Sequence, residues 1–244
     1  MKKIEVLGIF DSGLGGYSVF NALKGALPDL SMVLYADQKN APYGNYDYKT
    51  ILSLSIEAMK WFEKENINDV LLACNTASIV IDDLRIAFPN MRIWGIIDLT
   101  LSQIPEEKKR VGLVGTTATI RSNAYNQRFN KPIFSVSIPE LAGAIEQLEA
   151  HDIVYDMIAA ALPELNHIDC LILGCTHYPL VKDVFESIFD VPIFDSIEPI
   201  LKFISENYKQ TKGSRRIVTS ADSDYFKHQI NILFDEIETV EDVT

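Results

Sequence analysis

Short apolar runs recur along the chain, separated by stretches whose apolar positions return every three or four residues. The runs Val6–Phe10, Met32–Ala36, Val70–Ala73, Ile93–Ile97, Val111–Val114, Cys170–Leu173, Val191–Phe194 and Arg216–Thr219 predict strands. Between them, Ile51, Leu52, Ser55, Ala58, Met59 and Phe62 share one face of a helix. The same spacing predicts helices over Thr76–Phe88, stopped at Pro89, and over Thr117–Asn126, Glu140–Glu149, Val154–Leu162, Pro179–Ile188 and Asp222–Leu233. Apolar strands alternating with helices predict an α/β fold with mostly parallel sheets, covered on both faces. Ligands of such folds bind beyond the carboxyl ends of the strands.

The pattern repeats. Leu71-Leu72-Ala73-Cys74-Asn75-Thr76 matches Leu171-Ile172-Leu173-Gly174-Cys175-Thr176, an offset of 101 residues from 74 to 175. Leu7-Gly8-Ile9-Phe10-Asp11-Ser12 matches Val111-Gly112-Leu113-Val114-Gly115-Thr116, an offset of 104 from 8 to 112. Two matches at nearly one offset predict a duplicated unit, with a cysteine at a strand end in each half.

Composition narrows the chemistry. With 48% hydrophobic and 23% charged residues, the 244-residue chain has the make-up of a globular protein. A net charge of −12 argues against nucleic acid as a partner, because phosphate binding requires a basic face. No apolar run approaches the roughly 18 residues of a membrane span. Lys2 and Lys3 precede a first strand rather than a signal peptide, since Glu5 interrupts the run that follows. A cytoplasmic protein is therefore expected, with Cys74, Cys170 and Cys175 as free thiols in no metal-binding spacing.

Most free cysteines are small buried apolar residues, and Cys170, without a partner in the other half, is read that way. Cys74 and Cys175 each stand at a strand end before a helix, where the helix dipole and free amides stabilise a thiolate. A phosphatase loop would place Arg six positions after the cysteine, where Val80 and Val181 stand. An acyl transferase has no use for a second cysteine. Two thiols facing one another across a cleft supply what inversion of a stereocentre requires, a base on one side and an acid on the other.

Gly8 to Gly16 follows a strand and opens a helix. Its amides suit an anion, a carboxylate as well as a phosphate, or the glycines serve a tight turn alone. It lacks the GxGxxG pattern and no GK[ST] follows. Asp11 at the strand end suits a substrate ammonium or a neighbouring thiol. The polar loop Asp37 to Gly44 lies at the ligand rim or is simply solvated. His177 is the only histidine beside a candidate thiol; it either assists Cys175 or fills a helix start.

Phe10-Asp11-Ser12-Gly13-Leu14-Gly15-Gly16, Pro42-Tyr43-Gly44, Ala73-Cys74-Asn75-Thr76-Ala77-Ser78, Val114-Gly115-Thr116-Thr117-Ala118-Thr119 and Leu173-Gly174-Cys175-Thr176-His177-Tyr178-Pro179-Leu180 together resemble the bacterial glutamate racemases of the aspartate/glutamate racemase superfamily. The resemblance spans about residues 6 to 196. It implies two pseudo-symmetric αβα domains, 1–97 with 207–244 and 98–206, with the active site in the cleft between them. It implies interconversion of L- and D-glutamate without pyridoxal phosphate, metal or other cofactor, serving peptidoglycan synthesis, in a homodimer.

Carried over residue by residue, Cys74 and Cys175 are the acid/base pair, Cys74 acting on D-glutamate and Cys175 on L-glutamate, with Asp11 and His177 assisting. Asp11, Ser12, Pro42, Tyr43, Gly44, Asn75, Thr76, Thr116, Thr119, Thr176 and His177 hold the substrate, with Asp37 and Glu146 as acidic residues behind them. Gln38 stands where the family often has Thr, and Leu99 replaces a frequent proline. Pro139 to Glu146 lacks the family's usual Leu and second Pro. A relative acting on aspartate is the nearest rival reading; His177 speaks for glutamate, since aspartate racemases tend to carry an acidic residue there. A non-catalytic anion-binding module gives no reason for the paired cysteines.

Overall fold

A computed structural model describes residues 3–243. Lys2, expected just before the first strand, lies outside the described residues, as do Met1 and Thr244. Among the described residues, ten strands form two sheets. They are β1 (Val6–Asp11), β2 (Ser31–Ala36), β3 (Asp69–Leu72), β4 (Arg92–Gly95), β5 (Val111–Gly115), β6 (Ile133–Ser137), β7 (Cys170–Gly174), β8 (Ile193–Phe194), β9 (Arg215–Thr219) and β10 (Val240–Asp242).

The first sheet runs β10-β9-β2-β1-β3-β4 and the second β6-β5-β7-β8, and every pairing is parallel. The order β2-β1-β3-β4 is the order β6-β5-β7-β8, so the duplication read from two short motifs extends to the whole four-strand unit. In register, Phe10 lies beside Leu72 and Gly115 beside Gly174, which brings the chain after β1 next to that after β3, and the chain after β5 next to that after β7.

Each sheet is covered on both faces because its strand residues alternate between two cores. Leu7, Ile9 and Leu71 face a cluster with the helices Gly15–Ala26, Ile197–Asn207 and Ser223–Phe234. Phe10, Val70 and Leu72 face another with Tyr48–Lys64 and Ile81–Ala87. In the second sheet Leu171 and Leu173 face one core, and Cys170 and Ile172 the opposite one. Cys170 is fully buried among apolar side chains.

Several elements differ from the sequence expectation. The run Ile93–Ile97 is strand only to Gly95; Ile96 and Ile97 begin the helix Ile96–Ser102 and bury against different cores. The predicted helix 117–126 is two short ones, Thr117–Arg121 and Ala124–Arg128, because Asn123 adopts a left-handed φ of 55°. β6 and β10 were not predicted. Each is an edge strand that buries only one or two side chains, Ile133 with Val136 and Val240, so neither carries an apolar run.

Candidate active site

Both sheets present the carboxyl ends of their strands to one cleft. The segment after β1 brings Ser12, that after β2 brings Pro42, Tyr43 and Gly44, and that after β3 brings Cys74, Asn75 and Thr76. From the second sheet, Thr116 follows β5, and Cys175, Thr176 and His177 follow β7. These eleven residues, with Ala142, line one small cavity. In the present conformation it has room for about one water molecule.

Cys74 is held by its neighbours: Ser12 Oγ lies 3.5 Å from its Sγ, and the Ala77 amide donates to it at 3.4 Å. Burial, with the negative Asp11 nearby, nevertheless pushes its thiol up to about 12. Cys175 meets different chemistry, with His177 Nδ1 at 3.8 Å from its Sγ. His177 Nε2 lies 2.8 Å from Glu146 Oε2 and 3.2 Å from the Gly15 amide nitrogen. One tautomer cannot serve both; the shorter contact is to a carboxylate, which places the proton on Nε2. Burial alone would lower the basicity of His177, but contact with Cys175 and Glu146 outweighs it and holds the imidazole well above its usual value. A protonated His177 turns a second N–H toward the Cys175 sulfur. The two sulfurs thus sit in unlike surroundings.

Asp11 stands one layer behind the cavity, fully buried. Gly13 N–H donates to its Oδ1 at 2.9 Å and the Thr176 hydroxyl to its Oδ2 at 3.0 Å. Burial raises its carboxyl to about 6, against the pull of His177 and these two donors. Asp37 also lies behind the cavity, accepting from the Tyr43 hydroxyl at 2.5 Å and from Asn40 and Ser220. It fixes the tyrosine that lines the cavity. Thr119 does not line the cavity either; its hydroxyl lies 3.1 Å from that of Thr76, which is 2.9 Å from that of Thr116.

The glycine turn serves a purpose other than cradling a free anion. Leu14 N–H donates to Glu146 Oε1 at 3.3 Å, and Gly13 N–H is taken by Asp11. A Cβ on Gly13 would stand 2.6 Å from the Glu146 carboxylate, and one on Gly15 would stand 2.8 Å from His177 Nδ1. These positions are glycine because side chains of the second half dock directly on the backbone of the first. The anion bound by the turn is Glu146 itself.

Sequence reasoning missed three participants. Gln229, fully buried, donates to the Glu146 carbonyl at 2.6 Å and accepts from Gln38 at 2.5 Å, while Gln38 also donates to the Glu146 carboxylate at 3.0 Å. Gln38 was visible as a departure from the family pattern. Gln229, on a distant helix, and Tyr125, which donates to Asn75 Oδ1 at 2.5 Å, gave no local signal. A second small cavity shares Pro42, Gly44, Thr116 and Ala142 with the first, and shares Gly44, Asn45, Thr117, Pro139 and Glu140 with an open groove of about 510 Å³. No group of metal-binding side chains occurs among the described residues. None of their helices is long and apolar enough to cross a membrane.

Residues 18–203 match the Asp/Glu/Hydantoin racemase family. A glutamate racemase of Sulfurihydrogenibium sp. is 32% identical over 96% of this chain and 95% of its own. Among solved structures, a glutamate racemase of Bacillus anthracis superposes with a TM-score of 0.91 at 27% identity, covering 99% of this chain and 98% of that one. A glutamate racemase of Francisella tularensis in complex with D-glutamate does so at 0.89 and 25% identity, covering 98% and 97%.

Proposed function

The chain belongs to the Asp/Glu/Hydantoin racemase family, and on that footing we propose that it interconverts L- and D-glutamate by passing the α-proton between Cys74 and Cys175. The observation that carries the reading is the pair of thiols on one cavity, each from the equivalent strand end of a duplicated unit. One sulfur, as thiolate, removes the proton; the other, as thiol, returns a proton to the opposite face of the carbanion. The unlike surroundings suit the direction from L- to D-glutamate, in which Cys74 begins as thiol and His177 offers a donor to Cys175; the roles exchange in the reverse direction.

The α-proton of an amino acid is weakly acidic, so the carbanion must be stabilised by hydrogen bonds to the carboxylate in a site closed to water. Ser12, Tyr43, Gly44, Asn75, Thr76, Thr116 and Thr176 are the donors for the two carboxylates, with Pro42 shaping the wall and Thr119 backing Thr76. Asp11, once ionised, attracts the ammonium. A cavity for one water cannot admit glutamate, so the halves must part for each turnover, and the outer groove is the access route. The moving bodies follow the division 1–97 with 207–244 and 98–206, except that the helix Ile197–Asn207 belongs with the first, on which Ile200 and Ile204 pack. The homodimer that the resemblance implies belongs to the same proposal and is checked by light scattering.

The test is incubation of the purified protein with either enantiomer of glutamate in deuterium oxide, following optical rotation and α-deuterium uptake. Both change in the proposed reaction. Exchange on aspartate but not glutamate overturns the substrate, and no exchange on either overturns the racemase reading.

The pH profile supplies a second check. Asp11 attracts the ammonium from behind the cavity wall only when ionised, so kcat/KM falls as pH drops through about 6. The Thr176 hydroxyl stabilises the ionised form, so Thr176→Val moves this acid limb to higher pH. An acid limb that stays in place in the variant excludes Asp11 as its origin.

A further inference from the structure

We infer that Tyr125 is a positioning residue for the substrate: it fixes the rotation of the Asn75 amide so that Nδ2 faces the substrate's carboxylate. This rests on the proposed glutamate reaction and adds a residue that the carried-over site does not contain.

The two ends of an asparagine amide have nearly the same shape, and rotation by 180° exchanges a donor for an acceptor at little steric cost. Which end faces a ligand is decided by the partner at the other end. Asn75 is buried beneath the cavity wall, and its Oδ1 accepts from the Tyr125 hydroxyl at 2.5 Å. Burial raises the Tyr125 phenol, which therefore keeps its proton and acts as donor. With Oδ1 engaged, Nδ2 must face away from Tyr125. Nδ2 is buried and finds no acceptor among the described residues, although Asn75 lines the cavity shared by both thiols. A buried amide hydrogen without an acceptor is unfavourable unless a ligand supplies one. Of glutamate's charged groups only the carboxylates accept, so the free donor fits a carboxylate and rejects the ammonium.

The two residues come from opposite halves. Asn75 follows β3, whereas Tyr125 sits in the core of the second sheet with Leu113 and Ile172. The hydroxyl reaches Asn75 only when the halves meet, so closure itself aims the donor.

Binding of D-glutamate is measured by calorimetry in a Cys74→Ser/Cys175→Ser background, where turnover does not interfere, with melting temperature as the check of folding. Tyr125→Phe is expected to weaken binding by about fivefold, because the acceptor end can then turn inward. In an added Asn75→Ala background the same change should alter binding less than about twofold. Asn75→Asp, which keeps the shape but lacks the donor, replaces Asn75→Ala if that variant is unstable. An undiminished effect of Tyr125→Phe without Asn75 would make Tyr125 a general latch and overturn the inference, as would no effect with Asn75 present. If removing the Asn75 amide leaves binding unchanged, the carboxylate contact falls while the two-thiol reaction stands. If the parent background does not bind D-glutamate at all, the substrate reading fails, and this inference with it.

Discussion

Replacing either Cys74 or Cys175 by alanine is expected to lower the rate of glutamate racemisation by at least about 10³-fold, because a positioned acid or base contributes about 10²–10⁴ and neither thiol can take both roles. Each removed thiol leaves one face of the substrate without a proton carrier, so stereochemical inversion stops while half of the chemistry survives. Cys175→Ala retains slow α-hydrogen exchange into deuterium oxide with D-glutamate, and Cys74→Ala with L-glutamate, both without change of configuration. Both thiols are buried, and alanine removes only the sulfur, so the melting temperature should change little beside the loss of turnover. Polarimetry and NMR of the α-position read both outcomes. Sustained racemisation by either single variant would falsify the two-base mechanism.

Glu146→Ala should produce the second-largest effect, on activity and stability together. Glu146 accepts from His177, Leu14 N–H and Gln38, and its side chain is 12% exposed. Removing it leaves an imidazolium without its counter-charge and unties the second half from the glycine turn of the first. The expected cost is about 2–3 kcal/mol, below the usual range for breaking a buried pair because His177 can shed its proton. Turnover should fall by about 10²-fold as Cys175 loses its oriented histidine.

The pH dependence of that stability loss identifies its source. His177 is raised on folding, so its contribution is complete below the unfolded value of 6.5 and is lost as pH rises through the folded value. Glu146 is lowered: although burial raises it, the His177 contact, Gln38 and Leu14 outweigh that. Its contribution is complete above 4.5 and is lost as pH falls through its folded value. The gap in melting temperature between the native protein and Glu146→Ala should therefore be widest between about pH 4.5 and 6.5 and narrow on both sides. A gap independent of pH would assign the loss to packing alone.

The cavity is assembled from short segments, and how legible each was depended on whether its cause was local. Cys74, Cys175 and the residues flanking them stood out because a strand end, a small residue and a helix start are all written within six positions. Duplication then made the two sites comparable. Glu146 lay in the segment that departs most from the family pattern, and the approach of its carboxylate to the Gly13–Leu14 backbone, with His177 against Gly15, explains why that turn is glycine-rich.

The alternation of strands and helices, the parallel sheets, the repeated unit and the two thiols are all legible in the chain, because each depends on periodicity or on contacts between near neighbours. Only the packed structure shows that Asn123 breaks a helix and that Gln229 and Tyr125 reach the site from 83 and 50 residues away. Those contacts depend on how the two sheets meet. No local propensity encodes a contact whose two partners are brought together only by the packing of everything between them.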